Sequence, residues 1–265
     1  MVTSSGRRPP VQHGVAAVLA ATVLGAVLLA GCAADRGADR GEPGGLVVFA
    51  AASLTDVIEE LAVVFEAESG VPVLVNLAGS QTLATQLLEG AAADVLIMAD
   101  RVQMDVVADA GLLAGAVETV ATNRLVVAVE LGNPLGITGL ADLALDDVIV
   151  VLAAEEVPAG RYARDVLARA GVDVRPASLE QNVRAALAKV AQGEADAAIV
   201  YASDVVAAGD RVHGVPIPEA QNVVATYPAA VLADAASPDA AAEFLALLRS
   251  EDGQRILCNH GFGAP

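Results

Sequence analysis

The sequence predicts an α/β protein of two lobes, each a mainly parallel sheet flanked by helices, with a ligand cleft between the lobes. Three observations carry that expectation. Short runs that are apolar throughout, such as 46–50, alternate with amphipathic stretches such as 53–68, the pattern of parallel strands covered on both faces. The rhythm continues from residue 46 to the end of a 265-residue chain, more than one modest lobe requires. Several helices open directly after a strand on Ser, Gly or Pro-Ala-Gly, where such sheets bind ligands.

The elements follow in order. After the strand at 46–50, the helix at 53–68 sets Leu54, Val57, Ile58, Leu61, Val64 and Phe65 at helical spacing. A strand at 71–77, a helix at 80–89 and a strand at 94–98 come next. Strands are read at 125–129 and 148–152, helices at 160–170 and 182–191, and a strand at 197–201. Segments 212–217 and 223–227 read as further strands and 237–249 as a capped final helix, with no internal repeat. The chain should cross between lobes twice, after Asn123-Arg124 and at Tyr227-Pro228. Lobe one is therefore expected over 45–122 and 227–265, and lobe two over 123–226.

The N-terminal segment reads as an address. Arg7 and Arg8 precede an apolar stretch at 15–30, short of the roughly 20 residues that span a bilayer and suited to a signal peptide. It ends in Leu29-Ala30-Gly31-Cys32, which resembles the bacterial lipobox. That resemblance implies a lipoprotein signal peptide over 1–31 and lipid on Cys32. Residues 32–44 are small, charged and Gly-rich, as in a flexible tether. The body is expected at the outer face of the cytoplasmic membrane, which argues against a cytoplasmic enzyme. With Cys32 lipidated, Cys258 reads as a small core residue.

Composition excludes several classes. The whole chain carries 15 basic against 33 acidic residues, a net charge of −18; loss of Arg7 and Arg8 with the signal peptide makes it −20. No nucleic-acid partner or polybasic membrane contact is expected. Seven aromatics and no Trp leave little for a sugar-stacking site or an aromatic cage. Two Cys and three His build neither a disulfide scaffold nor a spaced metal motif. His213 and His260 sit in no triad-like arrangement, so no enzyme is expected, and His260 reads as a surface or core residue. Asp94 and Glu155-Glu156 read as solvated loop ends. Arg161 and Arg184 read as solvated helix-start residues, or as groups that steer an anion.

Ser53 and Ser80 each stand where a strand hands over to a helix. Taken singly, each is an ordinary N-cap, and Asp56 completes an approximate capping box. The full set points elsewhere. FAAASL at 49–54, AGSQTLA at 78–84, VPAGRYA at 157–163, NVRAALA at 182–188 and AIVYASD at 198–204 stand in this order. With YPAAVLADA at 227–235 and HGF at 260–262, they resemble the molybdate-binding solute-binding proteins of ABC transporters over essentially the whole mature chain.

The resemblance implies a periplasmic-binding-protein-like fold of type II, a monomer without a cofactor, and delivery of molybdate or tungstate to permease subunits. It assigns the oxyanion to the hydroxyls of Ser53, Ser80 and Tyr201 and to backbone amides at Ala159 and Val183. Gly79-Ser80-Gln81 departs from a triplet that is often Ser-rich, and Asn182 stands where Asp is frequent. Sulfate or another tetrahedral oxyanion is the alternative ligand. The chemistry agrees: a dianion with no proton to give needs only donors, which hydroxyls and helix-start amides supply.

Overall fold

The computed structural model describes residues 45–265; the signal peptide, Cys32 and the tether to residue 44 lie outside the described residues. The elements are β1 (Leu46–Ala51), α1 (Thr55–Ser69), β2 (Val73–Ala78), α2 (Ser80–Leu88), β3 (Val95–Ile97) and α3 (Arg101–Asp109). β4 (Glu118–Glu130), β5 (Val150–Ala153), α4 (Pro158–Ala170), β6 (Ser178–Glu180), α5 (Val183–Ala191) and β7 (Ala197–Tyr201) follow. α6 (Ala202–Ala208), β8 (Val212–Pro216), β9 (Val224–Val231), α7 (Pro238–Arg249) and α8 (Glu251–Asn259) complete the chain.

The strands run β2-β1-β3-β9-β4-β7-β5-β6, with β8 also paired to β4. The order has the same pattern from either end. β1 pairs in parallel with β2 and β3, and β9 lies antiparallel to β3. Likewise β5 pairs in parallel with β6 and β7, and β4 lies antiparallel to β7. β4 and β9 pair antiparallel at the centre. The sheet is thus mixed, its parallel strands on both flanks and its antiparallel strands in the middle.

β4 is much longer than the 125–129 run expected. Its first half, Glu118 to Arg124, pairs with β9, and Leu125 to Glu130 pairs with β7 and β8. The first half is mostly polar and has no buried-strand signature, yet an antiparallel partner supplies its backbone bonds. Helices α3, α6 and α8 were not legible. α6 begins directly after β7 with no punctuation, and α8 is separated from α7 only by Ser250, whose hydroxyl accepts the Gly253 N–H at 3.0 Å.

The core follows the apolar periodicity. α1 buries Val57, Ile58, Leu61 and Phe65, and Phe65 meets Phe244 of α7 edge-on at 5.3 Å. Two expectations about single residues are corrected. Cys258 is exposed, because α8 turns Ile256 and Leu257 inward instead. Asp94 is no solvated loop end but is 1% exposed. Its carboxylate accepts the Val47 N–H at 2.7 Å and the Ser237 N–H at 2.9 Å, tying β1, β3 and the start of α7 together. Asp196, just before β7, accepts the Ile149 N–H at 2.6 Å in the matching place of the other flank. His260 pairs with Glu60 of α1 at 2.7 Å.

Asp94→Ala removes the acceptor of two part-buried backbone donors and is expected to cost about 2 kcal/mol of stability, read from urea denaturation. Asp94→Asn, which keeps one accepting oxygen, is expected to cost less.

Candidate functional site

Six segments converge on one small cavity: the ends of β1, β3 and β7 and the starts of α2, α4 and α5. Ser53, Ser80, Ala159, Val183 and Tyr201 all line it, together with Gly79 and Ala99 among others. Its volume is about 10 Å³, far below the ~300–1,000 Å³ of sites for drug-sized molecules. Two glycines make the convergence possible. A Cβ on Gly79 would lie 2.8 Å from the Gln181 carbonyl oxygen, and one on Gly160 would lie 1.9 Å from that of Ala154. The first turn of α4 therefore sits directly over the end of β5.

Neither serine caps a helix. Ser53 lies in a 3-10 turn, Ala52–Leu54, and its Oγ is 2.9 Å from Tyr227 Oη. Ser80 is the first residue of α2, and its Oγ accepts the Ala99 N–H at 3.1 Å. Both are buried. Ala159 and Val183 stand in the first turns of α4 and α5, where amide N–H groups have no intrahelical acceptor and the macrodipole is positive. Asn182 caps α5 by accepting the Ala185 N–H at 2.9 Å.

Tyr201 is 1% exposed and its Oη has no hydrogen-bond partner among the described residues. Burial pushes its phenol well above the ordinary value of 10, so the group remains an O–H donor. An orphaned hydroxyl at this depth costs stability unless a ligand satisfies it. No Lys, Arg, Asp or Glu lines the cavity, and among the described residues no group of three His, Cys, Asp or Glu could hold a metal ion. The arrangement can therefore donate hydrogen bonds to a small anion.

The charged groups stand one layer out and hold the segments together. Arg161 is not a solvated helix-start residue; it is paired with the buried Asp100 and donates to the Glu156 carbonyl at 2.8 Å. Arg184 reaches Asp56 at 2.5 Å and Asp204 at 2.8 Å. Asp56 completes no capping box, since its carboxylate goes to Arg184. Gln81 Nε2 donates to the Gln181 carbonyl at 2.8 Å. These contacts join 53–56, 81 and 100, from the β1–β3 flank, to 156–161 and 181–184 from the β5–β7 flank.

Comparison with known proteins decides the family. The model described as bacterial extracellular solute-binding protein matches residues 46–263. The chain belongs to this family. The molybdate-binding protein ModA of Mycobacterium tuberculosis (strain ATCC 25618 / H37Rv) is 42% identical over 221 residues, covering 83% of this chain and 85% of that protein. ModA of Escherichia coli (strain K12) is 36% identical over 218 residues, covering 78% and 84%. The periplasmic molybdate-binding protein of Azotobacter vinelandii has the same fold, with a TM-score of 0.70 at 20% identity over 83% of this chain and 99% of that one. Among the described residues of this solute-binding protein, no helix is long and apolar enough to cross a membrane.

Reading the sequence missed the supports of the site: Ala99, which anchors Ser80, and Asn123 and Tyr227 behind Ser53. Asp100 had a usable signal. It accepts the Gln103 N–H at 3.0 Å, as an Asp followed three residues later by Gln announces a helix start.

Asp204 has a signed pH dependence. Burial, opposed by Arg184, pushes its carboxyl up to about 6 from 3.8. Its stabilising contribution is then full below about 3.8 and is lost as pH rises through about 6. Asp204→Asn removes that component, so the variant is expected to gain stability relative to wild type from about pH 4 to about pH 7. Urea midpoints measured across the interval read the change.

Proposed function

We propose that this protein captures molybdate or tungstate outside the cytoplasmic membrane and presents it to the permease of an ABC importer. The observation that carries this reading is the cavity lined by donors and no charged side chain, with the Tyr201 hydroxyl buried and unpartnered within it. The names of the mycobacterial and enterobacterial relatives supply the same ligand. In the reading proposed here, Ser53, Ser80 and Tyr201 donate through hydroxyls, and Ala159 and Val183 through backbone N–H groups. Donors held by helix starts and by buried partners discriminate by size. In a cavity matched to molybdate, the smaller sulfate leaves donors unpaired at about 1–3 kcal/mol each.

Ligand entry requires movement, because the cavity is ringed by the contacts that join the two flanks. We assign 45–122 with 227–265 to one lobe and 123–226 to the other, hinged where the chain crosses along β4 and at the start of β9. Closure on the anion sets the relative position of the lobes' outer surfaces, which is what a permease can recognise. The protein acts as a monomer, anchored through lipid on Cys32 to the outer face of the cytoplasmic membrane.

Isothermal titration with molybdate, tungstate, sulfate and phosphate tests the ligand. Molybdate and tungstate are expected to bind most tightly; stronger binding of sulfate would transfer the site to that anion. Ser80→Ala and Tyr201→Phe are each expected to weaken molybdate binding by about 1.5–3 kcal/mol, the worth of a hydrogen bond to a charged group. Unchanged affinity in both folded variants would remove them from the site. Anchoring has its own measurement: fractionation should find wild type in the membrane and Cys32→Ala released, and equal retention would refute the lipid anchor.

A further inference from the structure

The donor role of Ser53 depends on which way its hydrogen bond to Tyr227 points, and that direction is set outside the cavity. Asn123 is 3% exposed, and its Oδ1 accepts the Arg124 N–H at 2.9 Å. A backbone N–H can only donate, so the amide orientation is determined and Nδ2 faces away. Nδ2 donates to Ser203 Oγ at 2.8 Å and to Tyr227 Oη at 3.5 Å. Tyr227 Oη thus receives from Asn123 and must place its own proton elsewhere. Ser53 Oγ, at 2.9 Å, is the acceptor.

The reverse polarity is disfavoured by accounting. Were Ser53 to donate to Tyr227, the phenolic proton of a fully buried tyrosine would face only the Asn123 amide donor. Leaving a buried donor unpaired costs about 1–3 kcal/mol. Burial also raises the Tyr227 phenol far above its ordinary range, so its proton stays in place. With Tyr227 donating, the Ser53 proton is left for the cavity that Ser53 lines. Ser80 is polarised by a shorter route, since the Ala99 N–H already occupies its oxygen.

We propose that Asn123 and Tyr227 are positioning residues for anion binding, forming a one-way relay, Asn123 Nδ2–H to Tyr227 Oη–H to Ser53 Oγ–H, that holds Ser53 as a donor into the cavity. The inference rests on the oxyanion-binding reading above. It joins two parts of the fold, because Asn123 lies on β4 where its pairing passes from β9 to β7, and Tyr227 lies on β9. Tyr227 is further steadied by edge-on ring contacts with Tyr201 at 6.0 Å and Phe262 at 5.2 Å. Tyr227→Phe keeps those rings and removes only the relay hydroxyl.

The test is a double-mutant cycle read by molybdate titration on folded protein, with melting curves recorded alongside. Tyr227→Phe is expected to weaken binding about tenfold, with no further loss in a Ser53→Ala background and full loss in a Ser80→Ala background. A merely structural role would weaken binding equally in both backgrounds, and that result overturns the relay. Asn123→Ala, which frees the Tyr227 hydroxyl to turn, is expected to weaken binding about threefold, again only while Ser53 is present. It carries the test should Tyr227→Phe fail to fold. Wild-type protein that binds no oxyanion would remove the underlying reading. Binding that is weakened by Ser53→Ala but indifferent to Tyr227→Phe would overturn the relay alone.

Discussion

β4 has to satisfy two sets of backbone partners within one thirteen-residue strand, and the rest of the architecture depends on that constraint. Its first half hydrogen-bonds to β9 and its second half to β7 and β8. The handover falls at Asn123, Arg124 and Leu125, and buried amide side chains manage it. Asn222 bonds the Leu125 N–H at 3.1 Å and donates to its carbonyl at 2.9 Å, standing in for a strand neighbour where the sheet changes partner. A buried strand without such substitutes would leave backbone groups unpaired.

The two flanks joined by β4 repeat one plan: three parallel strands with the first in sequence in the middle, then an antiparallel strand. Each flank closes its plan with a carboxylate, Asp94 or Asp196, that accepts a backbone N–H at the start of the flank's central strand. This common design explains why helix starts from both sides reach one point. In parallel strands the following helix begins at the carboxyl edge, so two such edges facing each other bring four helix or turn starts together. Their dipoles supply positive potential to a protein whose net charge is strongly negative, without a cation in the cavity.

The arginines illustrate a division of labour. Arg161 and Arg184 lie two residues and one residue beyond the first-turn amides of α4 and α5, but Arg161 is spent on Asp100 of the opposite flank, and Arg184 on Asp56 of that flank and on Asp204 at the start of α6. A guanidinium in the cavity would attract any anion. Placed outside, it fixes geometry and leaves recognition to neutral donors, whose spacing carries the selectivity.

The local chemistry of the strands and helix starts was legible because it is periodic. Apolar runs announced β1, β5 and β7, and the family resemblance carried by five short motifs implied Ser53, Ser80, Ala159, Val183 and Tyr201, which the fold gathers around one cavity. The sequence by itself determined which residues could offer hydroxyls and open amides, since that follows from residue type and position after a strand. Only the tertiary structure decided what those hydroxyls do. Ser53 and Ser80 look like caps from their neighbours, and become something else because Tyr227 and Ala99, distant in the chain, occupy their oxygens. Burial of Asp94, exposure of Cys258 and the length of β4 were decided in the same way. Hydrogen-bond direction and burial depend on partners brought together across the sheet, and a linear pattern does not contain them.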